Sequence, residues 1–115
     1  MNLPQMVAII DAVHRRLLEL THSKGTEYAT SDDRLSNFKD IARTYSMEPE
    51  QVLMIYMAKH LRSIESYTRD VASGTERVYS EPIEGRIDDA ILYLVLLQCL
   101  RADRIAERHV RHAGQ

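Results

Sequence analysis

The chain has 115 residues, of which 44% are hydrophobic and 28% charged, and its formal net charge is −2. That length and composition suit one folded globular domain able to bury a core without covalent staples, and they exclude a disordered or fibrous class. With a pI near 6.2 there is no global field to recruit duplex nucleic acid or an anionic membrane, although local basic clusters remain able to bind a small anion.

A single cysteine, Cys99, excludes an intrachain disulfide framework and fits a reducing compartment. Residues 1–19 lack the basic start, long apolar stretch and small-residue cleavage site of a signal peptide. The longest apolar run, residues 90–97, is too short to span a bilayer. The expectation is a soluble, cytoplasmic protein.

No internal repeat or low-complexity segment is visible, and the helical period dominates. A first helix is predicted over residues 3–20, with Pro4 in its first turn and an apolar stripe of Met6, Ile9, Ile10, Val13, Leu17 and Leu20. The polar segment 21–34, interrupted by Gly25, is too long for a tight bundle turn, and loops of that kind often carry function. A short second helix over residues 35–45 places Leu35, Phe38, Ile41 and Ala42 on one side. Pro49 opens a third helix that runs to about residue 69, and a second loop over residues 70–79 surrounds Ser73 and Gly74. Ser80 is the expected N-cap of a fourth helix, with Glu81 and Glu84 favoured by the dipole of its first turn. That helix runs through Leu100, and a continuation into the charged segment 101–112 stays open. The predicted fold is all-α, a four-helix bundle-like single domain over residues 1–115 with a charged tail at 103–115.

Two of these helices carry polar residues where apolar ones are expected. At about 100° per residue, the third helix turns Ala58, Arg62, Glu65 and Arg69 to solvent and Leu53, Met54, Met57, Leu61 and Ile64 to a core. Between those faces, beside Val52 and Ile55, lie Tyr56, Lys59, His60, Ser63 and Tyr67. Taken singly, these are a snorkelling lysine, a satisfied core histidine and self-bonded hydroxyls. Clustered on one face, they are a candidate site. In the fourth helix, residues 90–97 are apolar on every side, which suits a central position or a subunit interface. Asp88 continues the stripe of Leu92, Val95 and Cys99, and Asp89 continues that of Tyr93, Leu96 and Leu100. A buried carboxylate without a partner costs several kcal/mol (~3–5), so both aspartates call for a metal ion or for Lys59, His60, Arg34 or Arg86. The alternative is a wet N-terminal turn whose acids complement the dipole. In the polar segment, Lys24, Glu27, Tyr28, Asp32, Asp33 and Arg34 precede Asn37 and Lys39. Asp32 and Asp33 are equally suited to cap the second helix, and Asn37 to read a base or ribose.

These residues carry a resemblance. KGTEYATSDDRLSNFKDIA, YMAKHLRSI and EPIEGRIDDAILYLVLL resemble the phage and prophage family called nucleotide modification associated domain 1. There a K-x-x-EYA…DD-x-L-x-NFK segment, a KH-x-x-S helix and an RI-x-D-x-x-x-YL-x-LL helix recur in this order. The resemblance covers residues 18–102 and implies a role in nucleotide metabolism or modification, in the host cytoplasm if the chain is phage-encoded. More distantly, IDDAILYLVLL is similar to the last catalytic helix of the all-α nucleoside triphosphate pyrophosphohydrolases of the MazG and dimeric dUTPase type. Those enzymes hold Mg²⁺ between an E-E-x-x-E helix and an E-x-x-D helix, and the metal positions water on a phosphate.

By that matching Asp89 is the final aspartate. Lys59 and His60 stand where paired glutamates belong, Arg86 replaces the glutamate three before Asp89, and Glu84 is the acid left on the Asp88 face. The resemblance thus implies a Mg²⁺ site of Glu84, Asp88 and Asp89, with Asp88, Asp89 and His60 catalytic. The departures imply a phosphate cradle of Lys59, His60 and Arg34, with Ser63, Tyr28, Asn37 and Lys39 as further ligand contacts. Three readings stay open: Mg²⁺-dependent cleavage of a nucleotide phosphoanhydride, noncatalytic nucleotide sequestration, and inhibition of a host defence system through protein contact. A homodimer or higher oligomer with the fourth helix in its interface is expected in each. No glycine-rich phosphate loop, C-x-x-C pair or zinc-type histidine pair occurs. Ser63 follows His60 by three residues with no third group to complete a triad, and His109 and His112 suit a solvated face.

Overall fold

The structure, a computed structural model, describes residues 1–28, 33–75 and 81–114, with residues 24–28 described through their backbone. Four helices follow in order: α1 Leu3–Tyr28, α2 Ser36–Tyr45, α3 Pro49–Ser73 and α4 Ile83–Ala113. No strand occurs among the described residues, so the fold is all-α as expected. The chain divides into two compact units, residues 1–37 and residues 38–115.

In the first unit, α1 starts with a reciprocal cap. The Asn2 amide hydrogen is accepted by Gln5 Oε1 at 2.8 Å, and the Gln5 amide donates to Asn2 Oδ1 at 2.9 Å. The helix passes the predicted end at Leu20 and runs through Gly25 to Tyr28, which shortens the expected loop. A glycine costs a helix interior only about 1 kcal/mol relative to alanine, too little to stop an established ladder. On the predicted apolar stripe, Met6, Ile9 and Ile10 are 53%, 50% and 55% exposed. At the other end of this unit, Asp33 accepts the Leu35 amide on Oδ1 at 2.9 Å and the Ser36 amide on its carbonyl at 3.1 Å. Asp33 is thereby the cap of α2, while Asp32 lies outside the described residues.

The second unit is built on an antiparallel pair of helices, since Glu50 near the start of α3 meets Arg104 late in α4, and His60 meets Asp89 early in α4. The link from α2 to α3 is tight. Ser46 takes the left-handed conformation (φ 53°) and the Met47 amide returns to the Ala42 carbonyl at 2.8 Å, a Schellman-type stop made without glycine. Pro49 then starts α3, and Gln51 Oε1 accepts the Glu48 amide at 2.9 Å. At its far end Gly74 supplies the left-handed residue (φ 69°), and the Thr75 amide bonds the Asp70 carbonyl at 3.0 Å. Pro82 precedes α4, and the expected cap Ser80 lies outside the described residues. The helix continues without a break through the charged segment to Ala113, the longer of the two extents the sequence left open.

Phe38 and Ala42 of α2, Val52, Leu53 and Met57 of α3, and Ala90 and Leu100 of α4 form the core, with Leu53 0% exposed. Burying a leucine of this kind contributes about 2–3 kcal/mol. The inward face of α3 is turned from the predicted one: Met54 and Leu61 are half-exposed while Val52 is buried. α4 is not covered on every side either. Leu94, Val95 and Cys99 are exposed, Asp88, Ala90 and Leu100 are buried, and Asp89, Tyr93 and Leu96 are partly covered. A helix packed on one neighbour buries a stripe, not its circumference. No helix among the described residues is long and apolar enough to cross a membrane.

Candidate functional site

The rotation of α3 is what builds the site. With Leu53 and Met57 buried, steps of three and four residues bring His60, Ile64 and Tyr67 onto the same partly covered side. His60 therefore faces α4 instead of solvent. Its Nδ1 lies 3.6 Å from Asp89 Oδ2, with the two side chains 14% and 21% exposed. This contact is longer than a hydrogen bond and becomes an ion pair when the imidazole is protonated. An aromatic bed supports it: the His60 and Tyr93 rings are 5.4 Å apart, Phe38 meets Tyr93 edge-on at 6.5 Å, and Phe38 meets Tyr56 edge-on at 5.9 Å. Such edge-to-face contacts fix ring orientation as well as adding apolar area. A carboxylate beside Nδ1 fixes the imidazole in the same way, by favouring hydrogen on the nitrogen that faces it.

Around this centre the other candidates separate. Lys59 is exposed, one residue from His60. The Ser63 hydroxyl donates to the Lys59 carbonyl at 3.3 Å, the local back-bond of a helical serine. Asp88 is 5% exposed, so it enters the interior as its stripe suggested, although Val95 and Cys99 on that stripe face outward. Glu84 is exposed in the first turn of α4, and Arg86 pairs with Glu81 at 3.2 Å. Arg34 is exposed and Asn37 half-buried, both in the first unit. The side chain of Tyr28 lies outside the described residues. Among the described residues no three His, Cys, Asp or Glu side chains gather into a metal-binding group, so Glu84, Asp88 and Asp89 do not converge as a ligand set.

Lys39 goes elsewhere. Its ammonium donates to Asp103 Oδ2 at 2.8 Å, at the opposite end of the helix pair from His60. There Arg104 forks between Glu50, which accepts from Nε and, at 2.9 Å, from Nη2, and Glu48, which accepts at 2.6 Å. The Arg104 hydrogen bonds hold the Glu50 carboxyl below its ordinary value, against a smaller upward push from burial. The same bonds, to Glu50 first and Glu48 second, raise the guanidinium further above its own. A cavity of about 260 Å³ opens beside this clamp, floored by Ala42, Met47, Pro49 and Leu100 and rimmed by these charges. Assigning residues 103–115 to a tail hid the clamp. Its signal was present, because Asp103 and Arg104 continue the Asp89, Tyr93, Leu96, Leu100 spacing by one more turn.

No family model matches the chain, and no curated protein or solved structure matches it.

Proposed function

We propose that this chain binds a nucleotide or nucleotide-derived phosphate ligand beside His60, in nucleotide metabolism or modification. The observation that carries the reading is the His60–Asp89 contact across α3 and α4, 3.6 Å long and mostly covered, with exposed Lys59 next to it in sequence. An imidazole held from one side by a carboxylate presents its ring in a fixed orientation, and a neighbouring ammonium supplies the charge that a phosphate requires. Aromatic Tyr93 and Tyr56 nearby suit a planar base. The resemblance to the nucleotide-linked families supports nucleotide as the ligand class.

Binding, more than cleavage, is the form this arrangement suits. Glu84 is exposed while Asp88 is buried, so the acids are not arranged as a preformed Mg²⁺ set. Mg²⁺ keeps several waters and is often held by one or two carboxylates plus substrate phosphates. In this reading it arrives with the ligand, and Asp89 serves first to hold His60.

Calorimetric titration of nucleotides tests the proposal, with Lys59→Ala and Asp89→Asn each measured in Mg²⁺ and in EDTA. A charge-assisted hydrogen bond contributes about 1.5–3 kcal/mol, so Lys59→Ala weakens binding about tenfold or more. Asp89→Asn retains metal-free binding. If Lys59→Ala binds like the parent while Asp89→Asn loses affinity only in Mg²⁺, a metal-centred hydrolase replaces the phosphate cradle. If no nucleotide raises the melting temperature at millimolar concentration, the ligand class is wrong.

A further inference from the structure

Past the contact between Glu50 and Arg104, α3 has one more residue, Pro49, while α4 runs on from Ile105 to Ala113. Four arginines mark this end of α4. Arg101, Arg104, Arg108 and Arg111 follow one another at steps of three, four and three, and with His112 they fall within a sector of about 100°. Asp103 and Glu107 lie to one side of that sector, the first taken by Lys39 and the second at the rim of the cavity beside the clamp. Arg104 is held by Glu48 and Glu50. Arg101, Arg108 and Arg111 are exposed and form no ion pair among the described residues. The dipole of a helix C-terminus draws cations to the last turn, which covers Arg111 and His112 but neither Arg101 nor Arg108. Surface helices gain from opposite charges three or four residues apart. Here Arg101 and Arg104, Arg104 and Arg108, and Arg108 and Arg111 are like charges at those spacings. The stripe holds repulsion that an external anion relieves.

We infer that this stripe of α4 binds the phosphate backbone of a single-stranded nucleic acid, at the opposite end of the helix pair from His60. No lysine occurs in α4, and its basic side chains are arginine and histidine. The planar arginine fork matches phosphate oxygens two at a time, where a lysine offers a point charge. The stripe is about 15 Å long at 1.5 Å per residue, room for the few phosphates that three unpaired guanidiniums neutralise. A flexible strand can follow so short a stripe. A rigid duplex would carry its charge along the rest of a chain whose net charge is −2. A membrane surface fits less well, because Ile105 and Val110, the large apolar residues past Arg104, lie about 140° apart around the helix and share no face.

Fluorescence anisotropy of a labelled oligothymidylate of about 15 nucleotides, titrated with the full chain, tests this directly. Binding is weak, and the logarithm of its constant falls with that of the salt concentration at a slope of about −2, from about 0.7 for each of three phosphates. Affinity therefore drops roughly twentyfold between about 50 and 200 mM salt. Arg101→Gln, Arg108→Gln and Arg111→Gln each weaken binding severalfold and make the slope shallower by about 0.7, with the melting temperature unchanged. Lys59→Ala, at the other end of the pair, leaves affinity and slope as they are, so failure here is separate from failure of nucleotide binding beside His60. No binding at low salt overturns the inference, as does a slope indifferent to the three arginine substitutions. Equal binding of a strand with an uncharged methylphosphonate backbone, or tighter binding of a duplex of the same length, overturns it too. Polyglutamate bound as tightly as the strand would make the stripe a surface for an acidic protein, and loss of strand binding in Lys59→Ala would move the strand to the nucleotide site; either result overturns it equally.

Discussion

Where α3 begins, Lys39, Arg43 and Arg104 each meet a carboxylate: Asp103 for the first, Asp40 for the second, and Glu48 with Glu50 for the third. Toward the start of α4, one imidazole meets one carboxylate at 3.6 Å over an aromatic bed, and Lys59, the residue before His60 in sequence, is exposed. The two ends use the same residue types for different purposes. Charges already paired with carboxylates, across helices for Lys39 and Arg104 and within α2 for Arg43, leave little to offer an outside anion. At the other end, the binding proposed above would draw on His60, held by Asp89, and on exposed Lys59 one residue away. The lesson is that a charged cluster indicates function less by its charge than by how much of that charge the fold has already used.

The strongest perturbation reaches both ends at once. Leu53 is 0% exposed and lies on α3 between Glu50 and His60. Leu53→Ala removes its transfer free energy and leaves a cavity, a combined loss of about 3 kcal/mol. Urea denaturation should show the midpoint fall with an unchanged slope. A loss below about 1 kcal/mol would mean that the two ends do not share this core.

A smaller effect separates the ends. Arg104→Met removes the fork to Glu48 and Glu50 but keeps a long apolar stem. Because the Arg104 side chain is 40% exposed, screening limits the loss to about 1 kcal/mol or less, and added salt narrows the gap from the parent. Nucleotide affinity is expected to stay at the parent value. A parallel drop in affinity would break the division of labour between the two ends.

How much of this was legible beforehand follows from what each signal measures. Periodicity reports local geometry, so four helices and their order were readable, and so was the conflict of Asp88 and Asp89 with an apolar run. That Lys59 or His60 would lie near Asp88 or Asp89 was readable for the same reason, but the choice of His60 with Asp89 among those partners was not. Which flank of α3 turns inward was not. Met54 and Val52 are both apolar neighbours of Leu53, and the choice between them depends on the partner helix. Lys39 illustrates the same limit. Its charge fits a phosphate or an aspartate equally well, and only the placement of α2 beside α4, which sets Asp103 within 2.8 Å, decides between them. The helix of α1 was legible as a stripe for the same reason, although its extent past Leu20 to Tyr28 was not.

The subtlest way to sharpen the comparison uses acid. Glu50 has its folded-state pKa held below the ordinary 4.5, first by the Arg104 hydrogen bonds, with burial opposing. A group with a lowered folded value binds its proton more readily when unfolded. It therefore adds stability above the unfolded value, and that contribution is lost as the pH falls through 4.5 toward the lower folded value. Arg104 stays charged throughout, since its own shift is upward. Glu50→Gln removes the titration while keeping an acceptor of similar size for the guanidinium. The melting temperatures of parent and variant should differ by a constant amount from neutrality down to about pH 5.5, where the unfolded carboxyl is still ionised. Below that the gap should close, because the parent loses on protonation what the variant never had. A gap that stays constant to about pH 3 would show that Glu50 titrates alike in the folded and unfolded chain. The fork would then be a surface pairing without energetic weight, and the clamp end would differ from the His60 end in geometry alone.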